Sequence, residues 1–182
     1  HRRALALLLA ALCTFPAGAV AEGCTQETNV TTILFTHDLH SHFLPQSTAE
    51  GGESGGYARL KTVIDEKRAM NPAALLVDGG DFSIGSLIQT LYTTQAAELR
   101  TMGAMGYDVT TFGNHEYDFR AQGLADMLNA ALDSGDPLPA IVQGNYRPLT
   151  TQNTDGNTEI SDDTLAVSAA VQSALDRYGV TD

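Results

Sequence analysis

Apolar positions along this chain follow two rhythms. Residues 32–35 (Thr-Ile-Leu-Phe), 74–77 (Ala-Leu-Leu-Val), 109–112 (Val-Thr-Thr-Phe) and 140–142 (Ala-Ile-Val) are short apolar runs, most of them ending at glycines or polar turn residues. Runs of this length and punctuation predict strands. Between them the spacing lengthens to that of a helix. Leu60, Val63 and Ile64 recur within residues 58–68, with charges interleaved, until Asn71-Pro72 stops the pattern. Ala96, Leu99, Met102 and Met105 form the stripe of a second helix over 95–105, closed by Gly106. A third helix is predicted over 121–132, and a fourth over 164–178 from Leu165, Val167, Val171 and Leu175. Strand–helix alternation of this kind predicts an α/β sheet with right-handed crossovers. Residues 150–163 are polar and turn-rich, which predicts a surface insertion or linker. At Gly179-Val180-Thr181-Asp182 the rhythm calls for another strand.

The first thirty residues break this pattern. Arg2-Arg3, an apolar stretch from residue 4 to 12, and Ala19-Val20-Ala21 have the layout of a cleaved export signal over residues 1–21, followed by a polar lead at 22–30. The apolar stretch is too short to span a bilayer. Export to a periplasmic, secreted or cell-surface location is expected, with no transmembrane span in the mature chain. Cys13 would leave with the signal. Cys24 alone cannot build a disulfide framework, so a solvated thiol or a bond beyond this chain is expected.

Length and composition add bounds. At 182 residues, 43% of them hydrophobic, the chain can bury a core. A net charge of -12 argues against nucleic acid as a partner. An anionic substrate would need a local cation to overcome that field, and bound metal ions are one source.

The chemistry-bearing residues gather where strands are predicted to end. Asp38-Leu39-His40 follows the first strand, Gly80-Asp81 the second and Gly113-Asn114-His115-Glu116 the third. Loops at strand ends of an α/β sheet converge on one edge, so these residues can meet. On a strictly extended strand Asp38 and His40 would share one face and could bind one cation. Asn114 offers a carbonyl oxygen to a metal and an amide donor to an anion. His115 can give a proton near neutral pH. Each piece alone is an ordinary polar loop; their joint occurrence in this order is what points to a metal site. Glu116 reads as a helix-start residue, where negative charge suits the macrodipole. His37 and His42 read as solvated or supporting neighbours. The stretch 79–85 lacks the lysine and glycine spacing of a P-loop.

Together, Asp38-x-His40, Gly80-Asp81 and Gly113-Asn114-His115-Glu116 resemble the first three motifs of the calcineurin-like metallophosphoesterases. The longer runs 35–42 and 113–118, with Gly55-Gly56-Tyr57-Ala58-Arg59-Leu60, resemble the secreted 5'-nucleotidase and 2',3'-cyclic phosphodiesterase branch. The resemblance implies a β-sandwich flanked by helices, a four-layer α/β/β/α fold, with residues 31–182 as the N-terminal part of its catalytic domain. It assigns Asp38 and His40 to a first metal ion, Asp81 to a bridge between two, and Asn114 to the second. His115 becomes the general acid, with Asp118 orienting it, and Asn114 also contacts the substrate. The implied cofactors are two divalent ions. The nitrogen and oxygen ligand set favours Mn, Zn, Fe or Co. The implied substrate is a small phosphoester, a nucleotide in this branch.

That pattern adds a further histidine and a Gly-His-x-His motif, and no histidine follows His115 in this sequence. The fold is therefore expected to be incomplete here, a C-terminal substrate-binding domain is expected elsewhere, and the isolated chain is expected to be inactive. Two alternatives stand beside the nucleotide enzyme: a related phosphoesterase with a non-nucleotide substrate, and a non-catalytic surface binding module on the same scaffold. The joint presence of Asp38, His40, Asp81, Asn114, His115 and Asp118 weighs against the second.

Overall fold

A computed structural model describes residues 30–150 and 160–181. The expected signal, both cysteines and most of the expected linker lie outside these residues. The described residues from Thr31 onward form one compact unit.

Strand β1 (Ile33–Thr36) leads into a loop that carries a small antiparallel ladder of β2 (Gln46–Ser47) and β3 (Glu53–Ser54). Helix α1 (Tyr57–Met70) follows, then β4 (Leu75–Asp78), α2 (Tyr92–Gln95), α3 (Ala97–Met105), β5 (Val109–Thr110), α4 (Arg120–Ser134), β6 (Ala140–Ile141) and α5 (Asp162–Tyr178). The other four strands pair in parallel in the order β1-β4-β5-β6. The expected α/β architecture is present. Apart from the β2–β3 ladder, no second sheet occurs among the described residues. Thr181 bridges Val142 in parallel, so the strand anticipated at the end begins where the rhythm called for it.

Several elements depart from the periodicity in instructive ways. The third strand was anticipated over 109–112, but pairing stops at Thr110, because Thr111 and Phe112 turn to the Gln143 side chain: Thr111 Oγ1 donates to Gln143 Oε1 at 2.8 Å and Phe112 N at 3.1 Å. The second helix divides at Ala96, whose left-handed φ of 45° separates α2 from α3. A 3-10 turn over Leu87–Leu91, opened by the Ser86 hydroxyl accepting from Ile88 N, was not apparent in the sequence. Helix α5 starts at Asp162, inside the stretch read as linker, because the Ser161 hydroxyl caps it by accepting from Thr164 N.

The two faces of the sheet differ sharply. Leu34, Leu76, Thr110 and Ile141 alternate onto the face covered by the helical core, where Leu76 is fully buried among Leu99, Met102, Leu124, Met127 and Leu128. Full burial of a leucine is worth about 1.5–3 kcal/mol. The opposite face carries Ile33, Phe35, Leu75 and Val142, all exposed, with Phe35 at 62%. A parallel sheet ordinarily has both faces covered.

Candidate metal centre

The site is assembled from the main chain outward. The loop after β1 lies along the loop after β4: Asp38 N donates to Gly80 O, His40 N to Asp81 O and Ser41 N to Phe82 O, each at 3.0 Å. To follow that path the first loop leaves the extended conformation. Asp38, His40 and Ser41 have φ of 52°, 46° and 52°, and Asp81 has 54°. The expectation that Asp38 and His40 share the face of an extended strand is thus corrected. Left-handed backbone at non-glycine residues costs about 1–2 kcal/mol each and persists only where surrounding contacts impose it. Here it clusters on the residues that the motifs single out.

Glycine is required where the loops cross. A Cβ on Gly80 would collide with the backbone of Phe112 and Gly113, and one on Gly113 with the Asp81 carboxylate. Their absence lets the β4 and β5 loops touch.

Glu116 locks that contact, and its place differs from the helix-start reading. It is the middle residue of a single 3-10 turn (His115–Tyr117), points inward and is fully buried. Its Oε1 accepts from Ser83 N (3.0 Å) and Ser83 Oγ (2.7 Å), and its Oε2 from Asp81 N (3.0 Å) and Gly113 N (2.6 Å). Four donors from two loops converge on one carboxylate. Burial pushes its pKa up and the four bonds pull it back. Behind it, Asp78 at the end of β4 accepts from Thr36 Oγ1 (2.6 Å), Thr110 Oγ1 (3.1 Å) and Gly80 N (2.9 Å), tying three strands to the same turn. Glu116 and Asp78 were not recognised as anchors from the sequence.

On this platform the expected residues meet in part. Ligand atoms of His40, Asp81 and His115 lie within 4.8 Å of one another, and the two imidazoles approach edge to face at 5.0 Å. Asp38 stays outside that trio but is adjacent to it, with Oδ1 3.3 Å from His40 Nε2. Its other oxygen accepts from His37 Nδ1, and this bond holds its carboxyl below the usual range. His37, read as a solvated or supporting neighbour, is thus a direct partner of a motif residue. Asp81 Oδ1 accepts from His115 N at 2.9 Å. His115 Nδ1 donates to Asp118 Oδ2 at 2.8 Å, a contact that raises the imidazole pKa and leaves Nε2 as its outward nitrogen. Asn114 stands exposed at the start of the same turn.

The donor set fits a divalent cation. His40 Nδ1 lies 2.8 Å from Ile84 O and 3.2 Å from Ser83 O, and a carbonyl can only accept, so Nδ1 carries a proton. In the neutral ring Nε2 is then a bare lone pair facing the Asp38 carboxylate. Two acceptors at that distance are reconciled by a proton or a metal cation between or beside them. A second carboxylate, Asp81, and a second imidazole, His115, stand nearby. Nitrogen and oxygen donors with one ring nitrogen tied to backbone carbonyls are the usual surroundings of such an ion. Beside Asp38, an open cavity of about 420 Å³ is lined by His42, Tyr57, Arg59 and Leu60 among others.

Comparison with known proteins agrees with this geometry. The chain is 35% identical over 134 residues to the 5'-nucleotidase of Bos taurus, covering 64% of this chain and 23% of that protein. It is 33% identical over 165 residues to the 5'-nucleotidase of Diplobatis ommata, covering 82% and 27%. It therefore spans about a quarter of the length of these curated relatives. Among solved structures, the NAD nucleotidase of Haemophilus influenzae superposes with a TM-score of 0.56 at 25% identity, over 68% of this chain and 22% of that one. The 5'-nucleotidase precursor of Thermus thermophilus gives 0.52 at 30% identity, over 63% and 22%. The profile of the calcineurin-like phosphoesterases matches residues 31–168, which includes every loop just described. With more than half of its length matched and the three motifs placed on one edge of a parallel sheet, this chain belongs to the calcineurin-like phosphoesterase family.

Proposed function

We propose that this chain is the N-terminal part of an exported, metal-dependent hydrolase of nucleotide phosphoesters. The observation that carries the reading is the convergence of His40, Asp81 and His115 on one spot at the sheet edge, with Asp38 and Asn114 beside them. Asp38, His40, Asp81 and Asn114 would hold two divalent ions, Asp81 contributing to both, and Asn114 would also contact a phosphate oxygen. Ions bound there supply Lewis-acid polarisation of the phosphoryl group.

The protein's own groups do the rest. His115 carries its proton on the nitrogen that Asp118 does not use, in position to deliver it to the departing sugar oxygen. The Asp118 contact raises the ring's pKa, so that the acid keeps its proton to higher pH than it would without that carboxylate. The main-chain clamp between the β1 and β4 loops fixes where the substrate phosphate meets these groups, which is the positioning component of the rate.

Proximity of His115 to His40 and Asp81 also supports a second reading, in which His115 Nε2 is itself a ligand. Replacing His115 by Ala in the full-length protein separates the two. Lost turnover with unchanged metal content supports the acid; loss of both supports the ligand.

The residue pattern after His115 makes the 182-residue chain alone an expected weak metal binder without turnover. The region 1–21 acts as the export signal and 31–182 as catalytic-domain sequence in this proposal. No helix among the described residues is long and apolar enough to cross a membrane. The test is phosphate release from nucleoside 5'-monophosphates and 2',3'-cyclic nucleotides by the full-length protein, with EDTA and with Mn added back. Turnover that EDTA abolishes and Mn restores is expected. Release unaffected by EDTA overturns the metal-dependent reading, and release only from non-nucleotide esters overturns the substrate class.

A further inference from the structure

Behind the first motif lies a second buried carboxylate that no motif contains. Glu98 sits in the first turn of α3 and is fully buried, as is Ser41. Ser41 Oγ donates to Glu98 Oε1 at 2.7 Å across 57 positions of sequence. Glu98 Oε2 makes no hydrogen bond among the described residues. A buried carboxylate is costly to retain, so one bonded to a single serine calls for an explanation.

The explanation lies in what Ser41 does. It follows His40 directly and shares its left-handed backbone, with φ of 52° against 46°. Every polar group of Ser41 is engaged. Its N–H donates to Phe82 O (3.0 Å), its carbonyl accepts from Phe43 N (2.8 Å) and Ser86 Oγ (2.5 Å), and its hydroxyl reaches Glu98. The first two clamps are backbone geometry available to any residue. The hydroxyl is the turn's side-chain hydrogen bond to α3, beside the apolar packing of Leu39 and Phe43 on the core, and it helps to hold a conformation that costs serine about 1–2 kcal/mol. His40, one residue back, has its ring aimed by the carbonyls of Ser83 and Ile84 and its backbone by Asp81. Rotation of the Ser41 backbone would swing His40 away from Asp81 and His115.

We propose that Glu98 is a positioning residue for the metal centre: through its hydrogen bond from Ser41 it fixes the left-handed turn that aims His40. The proposal rests on the reading of His40 as a metal ligand. Glu98 touches neither ion nor substrate and acts only through Ser41. It also occupies the core stripe of its helix, with Met102 and Met105 four and seven positions on, where an apolar residue would pack without desolvating a charge.

The test is Mn titration by calorimetry of the full-length protein and its Glu98→Gln, Glu98→Ala, Ser41→Ala and His40→Ala variants, with melting temperatures recorded in parallel. Glutamine retains an oxygen that can accept from Ser41, so Glu98→Gln is expected to bind Mn within about threefold of the parent. Glu98→Ala and Ser41→Ala are expected to lose affinity by about tenfold or more, the scale seen when a supporting partner of a metal ligand is removed. A merely structural role lowers the melting temperature and leaves the affinity of the folded protein unchanged; that outcome in Glu98→Ala and Ser41→Ala overturns the proposal. Should Glu98→Ala fail to fold, Ser41→Ala decides alone. Glu98→Gln losing as much as Glu98→Ala overturns the role of the hydrogen bond. If His40→Ala binds Mn as the parent does, the ligand reading itself fails, whereas loss in His40→Ala with parental binding in Ser41→Ala defeats only the positioning role.

Discussion

In the loop after β5 the carboxylate that holds the turn belongs to the turn itself, whereas in the loop after β1 it arrives from α3. Glu116 takes four donors from the β4 and β5 loops; Glu98 takes one, the Ser41 hydroxyl, and has an oxygen to spare. The β1 loop is otherwise carried by main-chain bonds and leaves its own carboxylate, Asp38, in solvent. Chemistry and anchoring are therefore assigned to different residues. In the proposed function His115 faces substrate and Asp38 a metal ion, while Glu116 and Glu98 bear the burden of shape. A site built this way should separate under mutation into variants that lose folding and variants that lose only function.

The largest effect is expected at Glu116. Replacement by Ala strands four donors at once, two buried and two part-buried, each worth about 1–3 kcal/mol if left unsatisfied in the interior, and partial rescue by water brings the expected loss to roughly 3–5 kcal/mol. Urea unfolding followed by circular dichroism measures it. A loss under about 1 kcal/mol would mean that the loops hold without their carboxylate. Next comes His115→Ala, which removes an outward ring with no tie to the core. Turnover of the full-length protein should fall roughly 10²–10⁴-fold, with a far smaller loss of stability than Glu116→Ala shows.

This division explains what was legible in the sequence. Strand runs such as Leu75–Asp78 and the stripe of Leu99, Met102 and Met105 are long enough to announce themselves, and the three motifs are contiguous strings. The anchors are not. Glu116 looks like any acid at the start of a helical turn, since only the crossing of two loops turns it inward. Glu98 did leave a trace, being four and seven positions before Met102 and Met105 on the buried stripe, but one acid on a stripe does not name Ser41 as its partner. Short strands were also missed at their ends: side-chain acceptors such as Gln143 end the pairing of β5, and no periodicity encodes that. The open sheet face with Ile33 and Phe35 likewise reads in sequence as a buried strand, because alternation between a covered and an uncovered apolar face leaves no polar mark.

A smaller effect is expected from Asp118→Asn. The Asp118 carboxylate raises the His115 pKa, so its loss lets the imidazole give up its proton at lower pH. Since the acid must be protonated to act, the alkaline limb of kcat against pH should move to lower pH while the acidic limb stays. The folding contribution has the same sign. A ring whose folded pKa is raised stabilises the protein fully below its unfolded pKa, and that contribution disappears as pH rises through the folded value. An alkaline limb that does not move would assign the limb to another group.

The smallest folding effect is expected at Asp38, and it is the sharpest check on the contrast between the loops. Asp38→Asn keeps the size of the side chain, and asparagine tolerates the left-handed φ of 52° as well as aspartate does. The side chain is 53% exposed, its partner His37 is exposed and His40 half-buried, and the loop is held by Asp38 N to Gly80 O rather than by the carboxylate. Unfolding free energy should therefore change by less than about 0.5 kcal/mol. Mn affinity, in contrast, should fall by at least about tenfold, because a charged oxygen facing His40 Nε2 has become a neutral one. If Asp38→Asn unfolds the protein as readily as Glu116→Ala does, the motif carboxylate is an anchor after all. If it leaves both folding and Mn affinity untouched, the first ion is held by His40, Asp81 and His115 without it, as the closeness of those three groups would then require.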